Sequence, residues 1–184
     1  MRGHPWVFSN ELQNMPAELS VGELVDVLDH AGRFIGRGYI YPHTLIAVRI
    51  LTRKQEEIDA EFFRRRISAA RALRDMLGFG DSFRAVFSEG DGLPGLIVDK
   101  YAGTLVVQSS TAGIDGLLGI ITSVLKEVYS PQAIVLRNDT ASRAIEGLTQ
   151  EQQVVHGTVS GPVLIEESGI QYTIDVLEGQ KTGF

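Results

Sequence analysis

Cysteine is absent from the 184 residues, so the chain itself can form no disulfide, no thiolate metal site and no cysteine nucleophile. Histidine is scarce, and its four residues lack the spacing of metal ligands: His4, His30, His43 and His156. The composition therefore predicts a protein that holds no metal ion.

Long apolar runs are also missing. No stretch approaches the roughly 18 residues that a membrane span requires, and the residues after Met1 do not begin a secretory signal. With 43% hydrophobic and 22% charged residues, the chain has the composition of a soluble globular protein. We therefore expect a cytoplasmic protein without membrane contact.

The chain also lacks a net positive charge. The formal net charge of −6 counts against strong nonspecific binding to nucleic acid, because such binding depends on neutralising phosphates. A nucleic-acid-binding face on this chain would have to be local.

Residues 83–109 organise the rest of the chain. Two apolar runs, 96–98 and 105–107, flank a short segment that contains Gly103, which predicts a β-hairpin. The preceding residues 90–95 spell G-x-G-x-x-G, but they lead into a β-branched run rather than a helix. Because Pro94 also lacks an N–H donor, we interpret these glycines as a tight loop before a strand.

The periodicity of the other segments predicts a mixture of strands and helices. Strands are expected at 23–28, 34–41, 45–51, 133–136, 154–159, 163–167 and 170–176. A short helix is expected after Pro5, a long one over 56–77 and a third over 114–128. In the long helix, Phe62 and Leu73 are predicted to lie in the core together with Ile58, Ala69 and Met76. Further apolar residues extend this buried face to about half of the helix circumference: Phe63, Ile67, Ala70 and Leu77.

Three strings of sequence resemble one protein family. GHPWVFSNEL near the N-terminus, EGDGLPGLIVDKY in the middle and EGQKTGF at the end occur in the same order in the S-adenosylmethionine-dependent cytosine-5 methyltransferases of large-subunit ribosomal RNA. The resemblance implies an RNA-binding PUA domain, a central domain and a catalytic domain that uses a cysteine. In that family GQKTGF leads into the catalytic domain, whereas this sequence stops at Phe184. We therefore expect the catalytic domain to be missing.

The fold class predicted from pattern and resemblance together is α+β. A small PUA-like β-barrel would precede an α+β domain of strand-strand-helix-strand-strand type with a C-terminal β-hairpin. The expected divisions are 1–53 for the barrel, 54–80 for a connecting helix, 81–152 for the central domain and 153–184 for a hairpin leading to the absent methyltransferase domain. Glycines in the strand at 34–41 suit a bulge or the bend of a small barrel.

Candidate RNA contacts fall in the first of these segments: Arg33, Arg37, Arg2, His43 and Arg49. The alternative for each is ordinary surface charge. Trp6 is interpreted as a core anchor rather than a base-stacking platform. The Arg64–Arg66 run is interpreted as a solvated face, and Arg137 and Arg143 fit either a structural network or RNA contact. The resemblance places Lys181, Thr182 and Gly183 near the cofactor and catalytic region.

The function predicted is therefore RNA docking for a ribosomal RNA methyltransferase. Ribosomal RNA is the expected partner, and S-adenosylmethionine would be the cofactor of the whole protein but would not bind this chain alone. By itself the chain is expected to be inactive. The alternative is a non-catalytic scaffold or homodimerisation module with little RNA binding.

Overall fold

The computed structural model describes residues 3–13, 15–16, 18–167 and 169–179. The chain begins with an antiparallel sheet of four strands: β1 (Trp6–Phe8), β2 (Leu24–Leu28), β3 (Phe34–Ile40) and β4 (Ile46–Thr52). Their order is β1-β4-β3-β2. The three longer strands confirm the sequence prediction, since alternating apolar side chains suit a sheet with one face packed and one face open.

The predicted helix after Pro5 is wrong. Residues 6–8 form β1, which pairs with β4 and places Trp6 opposite Arg49. A 3-10 helix, Ser9–Glu11, follows at once, and the Glu11 carboxylate accepts a hydrogen bond from the Phe8 backbone N–H at 2.8 Å. Aromatic and β-branched residues favour a strand wherever a partner edge is available, and only β4 supplied that edge.

The expected barrel is not closed. Within the described residues β1 and β2 remain the two edges of the sheet. The glycines instead serve a bulge between Arg37 and Gly38, where a Cβ on Gly38 would lie 2.0 Å from the carbonyl oxygen of Arg49. Gly38 thus allows two backbones to approach closely, one of the two roles predicted for it.

Helix α1 (Ala60–Leu77) begins later than predicted because Asp59 caps it, accepting a hydrogen bond from the Phe62 N–H at 2.9 Å. Gly78 ends it with φ 71°. The buried residues are Phe62, Phe63, Ile67, Ala70 and Arg74.

The prediction is wrong for Leu73, Met76 and Leu77, whose exposed fractions are 42%, 77% and 62%, and for Ala69, which is also exposed. It is confirmed for the buried residues Ile58, Phe62, Phe63, Ile67 and Ala70. The buried stripe of α1 is thus centred on Phe63, Ile67 and Ala70, which the pattern placed at one side of a wider buried face. Contacts of α1 with strand and helix partners from residues 82–129 set this orientation.

A second sheet has five strands in sequence order: β5 (Ser82–Phe87), β6 (Leu96–Tyr101), β7 (Thr104–Ser109), β8 (Ala133–Asn138) and β9 (Glu151–Gly157). The predicted hairpin is confirmed, with Tyr101 paired to Thr104. Only β7 and β8 are parallel. Their crossover is helical, but the single helix predicted there divides at Leu117 into α2 (Ala112–Gly116) and α3 (Leu118–Tyr129).

The C-terminal hairpin is also confirmed. Strands β10 (Val163–Glu167) and β11 (Ile170–Ile174) pair antiparallel, with Val163 opposite Ile174. Their apolar side chains pack on one face of the five-stranded sheet, around the buried Ile165 and Val135.

The main core joins the two sheets. Tyr39 and Leu51 of the first sheet belong to the same buried cluster as α1, α3 and the second sheet. In the part of the chain that the structure describes, no helix is long and apolar enough to cross a membrane.

Candidate nucleic-acid interface

The predicted RNA contacts Arg33, Arg37 and Arg49 all have carboxylate partners. Arg33 donates from Nε to Asp29 at 2.7 Å, yet its side chain remains 76% exposed. Arg37 is more fully engaged and bonds Asp26 at 2.7 Å. It also donates to the carbonyl oxygen of Glu56 and to the carboxylate of Glu57.

The structure does not gather the predicted contacts on one surface. Arg33 precedes β3 and the exposed His43 follows it, so a seven-residue strand, about 23 Å long at ~3.3 Å per residue, lies between them. Arg49 points elsewhere and lies 3.0 Å from Glu146, in the part of the chain that carries the second sheet. Four predicted positions, Arg2, Lys181, Thr182 and Gly183, lie outside the described residues.

Three other cations lie near the end of β4 and pair with no carboxylate among the described residues: Arg53, Lys54 and Arg66. Arg53 donates from Nη2 to the carbonyl oxygens of Gly3 and His4, both at 3.0 Å. Arg66, on α1, donates to the carbonyl oxygen of Leu51 at 3.2 Å. We call these three residues the basic corner.

The charge of the basic corner is free for another partner. A guanidinium bonded only to neutral carbonyl oxygens keeps its full positive charge and further N–H donors. Arg53 and Lys54 are also exposed. Free cations of this kind are what a phosphate contact requires.

Two aromatic rings adjoin the basic corner on β1 and the residues before it. The exposed His4 ring meets Trp6 edge-on, with the ring centroids 4.7 Å apart. The indole N–H of Trp6 donates to Glu89 at 3.0 Å and so fixes the ring. Trp6 is half-buried, and this position lies between the two interpretations of the sequence, a core anchor and a stacking surface.

Beside Trp6 a cleft of about 330 Å³ separates the two sheets. We call it the polar cleft, and it is lined by Trp6, Arg49, Ser88, Glu89, Gly95, Ser110, Thr111, Ser142, Ile145 and Glu146. Burial favours a higher pKa for Glu89, but hydrogen bonds from Ser88, from its own backbone N–H and from Trp6 outweigh burial and lower the pKa. Glu89 is therefore a carboxylate at neutral pH.

A wider groove of about 900 Å³ covers the open face of the first sheet. Its floor is largely apolar and includes Ile40, Val48 and Ile50, while its rim carries Asp26 and Asp29. Those two acids already bind Arg37 and Arg33. Arg53 also lines this groove, so the groove and the basic corner share one cation without a carboxylate partner among the described residues.

Arg137 and Arg143 belong to structural networks, which was one of the two interpretations of the sequence. Arg143 is fully buried and donates from Nη1 to the carbonyl oxygen of Ser109 at 2.6 Å and to Asp115 at 2.7 Å. Arg137 is 2% exposed and bonds the carbonyl oxygen of Val176 at 2.9 Å. Neither guanidinium is accessible to RNA.

The sequence distinguishes Arg66 from Arg64 and Arg65 by the residues that lie one helical turn away from each. In a helix, Arg64 and Arg65 lie one turn after Glu61 and pair with it in the structure. Arg66 has phenylalanine and alanine at the same spacings. Of the three arginines, the one without an acidic helical neighbour is the one that has no carboxylate partner in the part of the chain that the structure describes.

Residues 1–53 match the PUA-like domain family. The whole chain aligns with proteins named ribosomal RNA large subunit methyltransferase I. The identity is 43% over 189 residues for Shewanella amazonensis, 42% over 190 residues for Shewanella denitrificans and 38% over 189 residues for Pseudoalteromonas atlantica. The chain spans about half of each relative, 48% of its length.

Two solved structures share the fold. One is SMU.776, described as a methyltransferase and solved in complex with SAH, with a TM-score of 0.81 at 18% identity over 100% of this chain and 46% of that one. The other is a SAM-dependent methyltransferase from Streptococcus mutans, with a TM-score of 0.75 at 16% identity over 95% of this chain and 46% of that one.

The chain thus contains a PUA-like domain and is homologous to ribosomal RNA large subunit methyltransferases. Its fold is mixed α and β with several sheets. Among the described residues, no group of three or more histidine, aspartate or glutamate side chains is arranged to hold a metal ion.

Proposed function

We propose that this chain is the RNA-recognition portion of an S-adenosylmethionine-dependent ribosomal RNA (cytosine-5) methyltransferase. Its identity with the named relatives across the whole of its length supports the proposal. The basic corner is the structural observation that carries it, because it offers unpaired cations on a chain of net charge −6. Catalysis and cofactor binding would fall to the half of the relatives that this chain does not span.

The proposal gives each predicted segment a role. Residues 1–53 and the helix in 54–80 supply the basic corner. Residues 81–152 and 153–184 form the surface on which a catalytic domain would dock. Arg33 is a secondary phosphate contact because it stays exposed. Arg37 and Arg49 contribute less, since carboxylates already hold their guanidinium groups.

The contribution of the basic corner to affinity can be estimated from its charge. Each neutralised phosphate on a single strand changes log K by about −0.7 per unit of log salt concentration. Three contacts therefore give a slope of about −2. Binding by this chain alone should be weak, and its affinity should fall only about fourfold for each doubling of the salt concentration.

The test is fluorescence anisotropy of a labelled large-subunit ribosomal RNA fragment at two salt concentrations. The triple variant Arg53→Ala/Lys54→Ala/Arg66→Ala should lose about tenfold or more in affinity, and its salt slope should be shallower by about 2. Lys126→Ala is the matched control, because Lys126 is an exposed lysine on α3 without a carboxylate partner in the described structure. Equal affinity and slope for the triple variant and the wild type would refute this site.

The assignment of cofactor binding to another part of the protein has its own test. A nucleotide-like cofactor is commonly bound where a Gly-rich turn leads from a strand into a helix, whereas the Gly-rich loop at 90–95 leads into strand β6. Calorimetry with S-adenosylmethionine should therefore show no binding to this chain and should show binding to a relative of full length. Micromolar binding to this chain would overturn the assignment.

A scaffold or homodimerisation module is a second candidate function, and one surface favours it. Apolar side chains at the end of α1 are exposed, with Met76 at 77%, Leu77 at 62% and Phe79 at 54%. Adjacent exposed apolar residues are typical of interaction surfaces. Sedimentation at increasing concentration should show self-association that Met76→Asp abolishes if this candidate is right, and a monomer throughout if it is not.

A further inference from the structure

We infer that the polar cleft receives one unpaired RNA base that carries an exocyclic amino group, cytosine or adenine, next to the phosphates held by the basic corner. This inference rests on the proposed function, because it assumes that the chain binds RNA. It adds a base-reading site to the phosphate contacts, which by themselves carry no sequence information.

The size of the cleft suits one base rather than a larger ligand. Its volume is about 330 Å³, at the lower end of the range for small-ligand sites. The cleft lies between strands of the first sheet and loops of the second, so its walls come from separate elements that one shared core holds together. A site of this kind is formed before its ligand arrives.

The charges in the cleft favour a neutral ligand that donates hydrogen bonds. Two carboxylates, Glu89 and Glu146, face one guanidinium, that of Arg49, so the cleft has a net charge of −1. A phosphate would be repelled, whereas the amino group of cytosine or adenine donates to carboxylate and hydroxyl oxygens. The hydroxyl groups of Ser88, Ser110 and Ser142 also line the cleft and add further acceptors. Uracil has no amino group and should bind less well.

Arg49 supplies the complementary donors. Glu146, 3.0 Å from its Nη1, is its one carboxylate partner in the described part of the chain, and the side chain of Arg49 is 15% exposed. A guanidinium has five N–H donors, so one such contact leaves several free. Cytosine and adenine both present ring acceptors beside the amino group, and the cleft therefore matches both halves of their hydrogen-bonding edge.

Trp6 provides the stacking surface. Its indole is held by the hydrogen bond to Glu89 and by edge-on contacts with His4 and Phe8. A ring fixed in this way loses little entropy when a base stacks on it, and such stacking contributes about 1–3 kcal/mol per base. The basic corner adjoins the same strand, because Arg53 bonds the carbonyl oxygen of His4. One nucleotide could thus place its base in the cleft and its phosphate at the corner.

The experiment uses Trp6 as its reporter, because it is the only tryptophan in the sequence. The chain is titrated with the tetranucleotides of cytidine, adenosine and uridine while tryptophan fluorescence is recorded. The cytidine and adenosine tetranucleotides should quench the fluorescence of Trp6 with dissociation constants at least fivefold lower than that of the uridine tetranucleotide. Glu89→Gln, which removes one carboxylate charge, should bring the three affinities to within about twofold of one another.

Glu127→Gln is the matched control, since Glu127 is an exposed carboxylate that pairs with Arg64 outside the cleft. It should keep the wild-type preference, and circular dichroism should show the same fold for both variants. Equal quenching by all three tetranucleotides in the wild type would overturn the cleft while leaving the proposed function intact. If the wild-type chain showed no binding to ribosomal RNA in the anisotropy assay, both the cleft assignment and the proposed function would be overturned.

Discussion

The phenol of Tyr39, in the first sheet, lies in the junction with the second sheet and donates a hydrogen bond to the carbonyl oxygen of Pro94 at 2.8 Å. The hydroxyl oxygen of Tyr39 in turn accepts a hydrogen bond from Thr111 Oγ1 at 3.0 Å. Burial raises the pKa of Tyr39, which keeps the phenol protonated and able to donate. A single 1% exposed side chain therefore ties the PUA-like segment to the loop before β6 and to the start of α2.

Gly113→Ala should destabilise this junction. A Cβ at Gly113 would lie 2.1 Å from Cγ of Tyr39, and the buried ring has no room to move. Overpacking of this kind costs about 1–3 kcal/mol. Gly119→Ala is the control, because a Cβ there meets nothing within 4 Å and alanine favours the helix by up to about 1 kcal/mol. The midpoint of thermal unfolding should therefore fall in Gly113→Ala and rise slightly in Gly119→Ala. Equal midpoints for the two variants would contradict the described packing.

Phe62→Ala and Leu73→Ala should separate the two faces of α1. Phe62 is 1% exposed, so its truncation should cost about 3–5 kcal/mol of unfolding free energy. Leu73 is 42% exposed, and its truncation should cost less than about 1 kcal/mol. Urea denaturation monitored by circular dichroism measures both. Similar losses for the two variants would restore the orientation of α1 that periodicity alone predicted.

Arg143→Met should be among the most destabilising changes to a charged residue. It removes the donor shared by Asp115 and the carbonyl oxygens of Ser109 and Thr149, and breaking such a buried pair costs about 3 kcal/mol or more. Arg65→Met is the comparison, since Arg65 is half-exposed and its partners among the described residues are the carboxylates of Glu56 and Glu61. Its loss should be below about 1 kcal/mol. If Arg143→Met also lost less than about 1 kcal/mol of unfolding free energy, the guanidinium of Arg143 would be accessible to solvent.

Arg37→Gln should raise the pKa of Asp26. The side-chain hydrogen bond from Arg37 holds that pKa below the ordinary value, so the stabilisation is present above the ordinary pKa and is lost as pH falls through the lowered one. Carbon-13 titration of the carboxyl group measures the change directly.

Arg33→Gln should raise the pKa of Asp29 by less than Arg37→Gln raises that of Asp26. The hydrogen bond from the backbone N–H of residue 33, which the substitution keeps, is the largest cause of the lowered pKa of Asp29. If the carboxyl of Asp26 titrates identically in Arg37→Gln and the wild type, the ion pair does not form in solution.

Local sequence predicted those features whose causes lie within a few residues. The hairpin between β6 and β7 follows from two apolar runs and a turn, and the end of α1 follows from Gly78, which adopts a positive φ. The loop before β6 was likewise recognisable, because Pro94 and the β-branched run after it exclude a helix there. In each case the nearest neighbours in sequence supply the determining interaction.

Features that depend on distant partners were decided by tertiary structure. Trp6 to Phe8 became a strand because β4 offered an edge, and α1 turned its Phe63–Arg74 side inward because α3 and β5 lay there. The same reason separates the arginines. Arg33, Arg37 and Arg49 pair with carboxylates up to 97 residues away, whereas Arg53 and Arg66 have carbonyl oxygens and no carboxylate as hydrogen-bond partners within the described residues. Sequence determined which residues could carry charge, and folding determined which charges remain free, because pairing depends on distances that exist only in the folded chain.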